Sequence, residues 1–298
     1  MFVRSQPDFS EILLAINGSI LPRIWRRLTF ITLVAVVAVL AAQQHPGIFQ
    51  RISAIPFTLI GIALSIFMSF RNDACYSRWW EGRKLWGELV IASRSFARKI
   101  AVLPDQERQM MTYLVCAFAG GLAARLRRGD ERAAIQRWYA DPIRDDAPNP
   151  TNAVLHELGR RCLAAMRSGT VDPMHYTTLE IELRALSTVQ AGCERIATTP
   201  VPFAYSLLLH RTALIFCITL PFALAGSLGW WALLPVLLVA YTFFGLDALG
   251  HQLEDPFRIG PNSLPVEALT RVIERDVLAA LGEDQLPAEI TPRNHILM

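Results

Sequence analysis

The sequence predicts an all-α membrane protein with four transmembrane helices plus a cytoplasmic helical domain. Three observations predict it. Three long stretches, Leu28 to Gln50, Ile52 to Phe70 and Ala213 to Leu246, carry no Asp, Glu, Lys or Arg. Arginines cluster at one set of their ends. The stretch between them, about 71–210, is charged and follows helical spacing. The composition agrees: 52% hydrophobic and 18% charged residues, with mean hydropathy +0.31, against about 25% charge in a soluble domain. A net charge of +3 is too small to suggest a nucleic-acid partner.

A helix needs about 20 apolar residues to cross the hydrocarbon layer. The first span is expected at about 24–43 and the second at about 54–70, joined by a turn at Gln43-Gln44-His45-Pro46-Gly47. The first apolar run follows Arg23, Arg26 and Arg27 and lacks a small-residue cleavage site, so a retained anchor is expected. The third stretch is too long for one crossing. Gly226-Ser227-Leu228-Gly229 supplies a turn, and Trp230-Trp231 suits the membrane–water interface. It therefore splits into spans of about 211–227 and 230–249.

Orientation follows from basic residues. Arg23, Arg26 and Arg27 precede span one, Arg71, Arg78, Arg83 and Lys84 follow span two, and Arg211 precedes span three. The two short loops on the other side hold only Arg51. Both termini and the middle region are expected in the cytoplasm.

In that region Met110, Leu114, Phe118, Leu122 and Leu126 recur every fourth residue, one face of a helix. The uncharged run Met110 to Ala124 is short, contains Gly120-Gly121 and is flanked by basic residues on both sides, so it reads as a buried soluble helix rather than a fifth span. Asp141 to Thr151, with three prolines, reads as a loop, and Leu179 to Ile196 as an amphipathic helix. The tail after Leu281 is polar and expected to be loosely ordered. Cys75, Cys116, Cys162, Cys193 and Cys217 have no close spacing, which argues against a disulfide framework or a zinc site.

Ile62, Ile66 and Phe70 share one face of the second span, flanked by the small residues Gly61, Ala63, Ser65 and Ser69. In a ring of helices such a stripe would form an apolar constriction that gates ions by dewetting. By spacing alone it could equally face lipid or another helix. Directly after it comes Arg71-Asn72-Asp73-Ala74-Cys75-Tyr76-Ser77-Arg78-Trp79-Trp80-Glu81-Gly82-Arg83. Arginine, tyrosine and tryptophan suit a headgroup-level collar, but an anchor alone would not need Asp73 and Glu81.

Arg78, Trp79, Trp80 and Glu81 at this position resemble the bestrophin family, whose pore-lining second span is followed by Arg-Trp-Trp. Cys193-Glu194-Arg195-Ile196 running into Thr199-Pro200-Val201-Pro202-Phe203 is a second match. Gly250-His251-Gln252-Leu253-Glu254-Asp255-Pro256-Phe257 is a third. Together they resemble the bacterial branch over roughly residues 5–281, with residues 1–281 forming a single channel-like domain and 282–298 a polar tail.

The resemblance implies a homopentamer around a central pore in a bacterial inner membrane. Its partners would be other copies of itself, membrane lipid and permeant monovalent ions, with no cofactor. It places the pore neck at Ile62, Ile66 and Phe70, and a cytoplasmic aperture on the helix beginning near Met174, at Ile181 or Thr177. Animal members are calcium-activated chloride channels whose calcium clasp is acidic and follows the Asn/Asp-Pro-Phe motif. Here Arg258 to Val266 contains no carboxylate, whereas calcium takes six to eight oxygens. No metal site and no calcium activation are therefore expected, with Glu254 and Asp255 forming salt bridges or capping a turn. Five copies of Asp73 would form a carboxylate ring favouring sodium or potassium, unless Asp73 pairs with Arg71 or Arg78.

The alternatives are an anion channel of the same family and a non-conducting scaffold. An enzyme is disfavoured, because His156-Glu157 lacks the second histidine of a metalloprotease helix. A transporter would carry an ionisable group at the midplane, and none lies in the three uncharged stretches.

Overall fold

The computed structural model describes residues 1–3, 18–140, 147–293 and 295–297. Its described residues form helices and turns, with isolated bridges pairing Ile296 with Phe2 and Arg293. The chain divides into two compact units. One is built on residues 1–3, Trp79–Thr199 and the chain from Pro256 onward; the other on residues 18–78 and Pro200–Asp255.

In the second of these, α1 (Leu21–Gln44) opens with a proline in its first turn, where the missing N–H costs no hydrogen bond. At about 1.5 Å per residue its 24 residues are long enough for the ~30 Å hydrocarbon layer. The turn predicted at Gln43 to Gly47 is partly the short helix α2 (Pro46–Phe49). Helix α3 (Ile55–Lys99) starts where span two is predicted but continues through 45 residues. Within it no proline follows Pro56, and Gly61, Gly82 and Gly87 are too few to break it. Residues up to Arg78 belong to one unit and those from Trp79 to the other.

The long apolar stretch folds as α8 (Phe203–Leu228) and α9 (Leu233–Glu254). The break falls at the predicted glycines: Gly229 has φ of 53°, which disfavours a side chain, and leads into a 3₁₀ turn carrying Trp230 and Trp231. A Cβ on Gly226 would lie 2.6 Å from the Phe49 carbonyl oxygen, so this glycine lets α2 approach α8. Ile24, Ile31, Leu64, Met68 and Phe216 fill the core of this unit, and Phe216 meets Phe243 edge-on at 5.6 Å.

The other unit is centred on α4 (Asp105–Leu126), the helix predicted to be buried rather than membrane-crossing. Leu114, Phe118 and Leu122 are fully buried, packed with Trp86, Leu89 and Phe96 of α3. Around α4 lie α5 (Glu131–Gln136), α6 (Pro150–Arg167) and α10 (Val266–Leu281). The amphipathic prediction over Leu179–Ile196 lies within α7 (Pro173–Thr198), whose first turn is capped by Asp172 at 2.9 and 3.0 Å.

The loop predicted over 141–151 falls partly outside the described residues. Its end differs from expectation: Asn149 caps α6, so Pro150 and Thr151 are helical. Proline at the first position suits a helix as well as a loop. The segment after Gly282 is more tied down than its polarity suggests. Arg271 and Arg275 donate to the carbonyls of Ala288 and Pro287, both at 2.7 Å. All five cysteines are free and buried. Burial pushes the Cys162 and Cys193 thiols up to about 12, as expected of packing residues rather than nucleophiles.

Candidate ion pathway and its supporting charges

Helix α3 advances about 100° per residue, so Ile62, Ile66, Phe70 and Asp73 fall within an arc of about 80°. The structure leaves this arc open. Ile62, Ile66 and Phe70 are 55%, 50% and 63% exposed, large fractions for apolar side chains, and Asp73 is exposed below them. An apolar cavity of about 450 Å³ opens beside Ile62 and Ile66, walled by Phe216, Leu220 and Phe243.

Asp73 has no ion pair among the described residues. The two arginines that could have neutralised it are engaged elsewhere. Arg71 Nη1 contacts Asp247 at 3.1 Å, its Nη2 lies 3.8 Å from Glu254, and its Nε donates to Ser206 at 3.3 Å. Arg78 Nε donates to the Glu254 carbonyl at 3.0 Å.

Asp247 is the residue the sequence reading missed. It lies inside the predicted fourth span, one residue past the charge-free stretch that defined it. Its carboxylate accepts from Arg71, from Arg27 at 3.2 Å and from His210 at 2.8 Å. Removed from water, a carboxylate is stable only with such partners. A lone Asp between apolar helical turns was the available signal.

The three motifs meet through polar contacts and packing. Glu81 pairs with Arg195. Glu194 accepts from Arg125, Asn149 and Gln190. Pro200 follows the end of α7, where it cannot continue the helix. Trp79 stacks on Trp80 and donates its indole N–H to the Asn262 carbonyl at 2.9 Å. The Pro256 carbonyl accepts from the Leu264 amide, and Phe257 is fully buried against Gly82. Glu254 forms the expected ion pair, with Arg71, and Asp255 sits at the C-cap of α9.

The loop after Phe257 is held by a protein cation. Arg127 donates to the carbonyls of Phe257, Arg258 and Leu264 and pairs with Glu267 at 2.8 Å. The carbonyl oxygens of this turn are thus already bonded to a guanidinium, and the first carboxylate beyond it is neutralised. Arg127→Met is expected to lower stability by about 1–3 kcal/mol, because part-buried carbonyls lose a charged donor. Faster amide hydrogen exchange at Leu264 would show it; unchanged protection would refute the clamp.

On α7, Thr177 and Ile181 are one turn apart and both exposed, Ile181 at 62%. Ile181 shares a cavity wall with Ile91 of α3.

The chain matches a family model described as bacterial/fungal bestrophin protein over residues 1–279. It is 43% identical to a voltage-dependent anion channel-forming protein of Mesorhizobium japonicum, covering 97% of this chain and 96% of the relative. A protein of the same description from Escherichia coli K12 is 39% identical, covering 99% of each. A bacterial bestrophin homologue crystal structure from Klebsiella pneumoniae superposes with a TM-score of 0.82 at 35% identity, covering 88% of this chain and all of that one. With its helical fold and its three motifs in place, the chain belongs to the bacterial and fungal bestrophin family.

Proposed function

We propose that the protein is the subunit of a homopentameric ion channel in a bacterial inner membrane. Four helical segments, within α1, α3, α8 and α9, cross the bilayer, and both termini are cytoplasmic. Five copies of α3 line a neck at Ile62, Ile66 and Phe70, and Ile181 or Thr177 lines an inner aperture. The observation that carries this reading is the exposed Ile62–Ile66–Phe70 arc, continuous with Asp73, which has no ion pair among the described residues. A lipid-facing stripe has no use for a carboxylate at its end; a pore does. The apolar cavity beside Ile62 and Ile66 supports assembly, because a second copy would fill it. Purified protein in planar bilayers should conduct. Silent bilayers with intact pentamers would favour a scaffold instead.

Charge preference has two readings, each resting on an observation. The Asp73 ring favours monovalent cations such as sodium and potassium. The names of the curated relatives favour anions. In asymmetric NaCl, a reversal potential near that of sodium, moved toward zero by Asp73→Asn, is the cation result. Reversal near the chloride potential, unmoved by Asp73→Asn, establishes the anion channel and removes Asp73 from selectivity.

The channel does not use calcium for activation on this reading. The support is the Arg127 guanidinium seated on the carbonyls that follow Pro256. Currents should be equal in chelator and in micromolar free calcium; a steep calcium response would overturn it.

A further inference from the structure

A cavity of about 370 Å³ opens among the basic ends of α1, α8 and α9, apart from the α3 arc. Arg23, Arg27 and Arg71 line it, with His210 and His251. Among the described residues Asp247 is the one carboxylate on its wall, with Glu254 off the wall and 3.8 Å from Arg71, so three guanidinium groups outnumber the carboxylates that meet them. That carboxylate is already taken, accepting from Arg71, Arg27 and His210. Arg23 has no ion pair among the described residues, and Arg27 spends one Nη on Asp247 while resting 5.8 Å from the Phe244 ring centroid.

The mouth is apolar and aromatic. Phe203, on the wall, is 76% exposed. Trp25, two residues along from Arg23 and so about 200° round α1 from it, lies off the cavity wall and is 52% exposed, with the Arg26 guanidinium 5.5 Å from its ring centroid. Tryptophan and arginine in this arrangement mark headgroup depth. A positive pocket beside exposed apolar surface therefore suits an amphipathic anion.

We propose that this cavity binds a phosphate group, supplied by the head group of an anionic lipid. Guanidinium forks pair bidentately with phosphate oxygens, and the excess positive charge discriminates against zwitterionic head groups. A free phosphate shares the chemistry; the headgroup depth and the exposed aromatics favour the lipid. The site rests on the membrane reading of α1 and α8 but not on conduction, so a silent chain that still selects anionic lipid would leave it standing.

The test is native mass spectrometry of the purified full-length protein titrated with phosphatidylglycerol, phosphatidylcholine or inorganic phosphate. Phosphatidylglycerol should bind at least about tenfold more tightly than phosphatidylcholine, and Arg23→Gln should erase about tenfold of that. Arg26→Gln, on the same helix but off the cavity wall, should leave binding unchanged, and circular dichroism should show both variants folded. Equal binding of the two lipids, or equal weakening by Arg23→Gln and Arg26→Gln, would overturn the site. Displacement of phosphatidylglycerol by low-millimolar inorganic phosphate would overturn the lipid assignment.

Discussion

Ile66→Ala is expected to raise channel open probability by about tenfold or more in planar bilayers. Ile66 sits in the middle of the exposed arc, between Ile62 and Phe70. In the proposed pentameric ring the substitution would remove apolar bulk from the neck at five positions at once and so ease its wetting. An apolar constriction closes by excluding water, so wetting governs conduction. A shift of about 1.4 kcal/mol in the wetting equilibrium already changes the open-to-closed ratio tenfold. The side chain is half exposed, so little packing is lost, and unfolding of the variant should match the wild type. A variant that folds and conducts like the wild type would remove Ile66 from the gate.

Arg71→Met is expected to lower the stability of the channel by about 3–5 kcal/mol, the usual cost of stranding a buried charge. The Arg71 side chain is 3% exposed and that of Asp247 10%. The guanidinium points three ways at once, to Asp247, to Glu254 and to Ser206. A lysine ammonium is a point donor and cannot span that geometry, so Arg71→Lys should recover only part of the loss. Asp247→Asn keeps its shape and an acceptor and should cost less. Thermal unfolding of the purified protein checks the order, with Arg71→Met lowest; a midpoint equal to wild type would show that the network is not structural.

Much of the fold was legible because it rests on one-dimensional rules. Hydropathy found the apolar segments of α1, α3, α8 and α9, since a bilayer core demands long apolar helices. Four-residue spacing found α4, and its shortness with flanking arginines placed it in the helical core, where Leu114 and Phe118 are fully buried. The failures were local. Span two is expected at about 54–70, and the spacing gives no sign that the helix holding it runs on unbroken to Lys99. The loop expected over 141–151 ends early, at Asn149, because a proline suits both a turn and a first helical turn.

The charge network was the least legible part. Arg71 and Asp247 are 176 residues apart, as are Arg78 and Glu254. Arg127 reaches the loop after Phe257 from 130 residues away. Nothing in the spacing of one segment announces its partner in another. By itself, the sequence determined an all-helical chain with membrane-length apolar helices, the Ile62–Ile66–Phe70 stripe and the family motifs, because burial in lipid or in a core writes a periodic pattern along a single helix. Only the tertiary structure decided that Arg27 and Arg71 neutralise Asp247, and that Asp73 has no ion pair among the described residues. Ion pairing is set by proximity in space, and the packing of α1, α3, α8 and α9 creates that proximity.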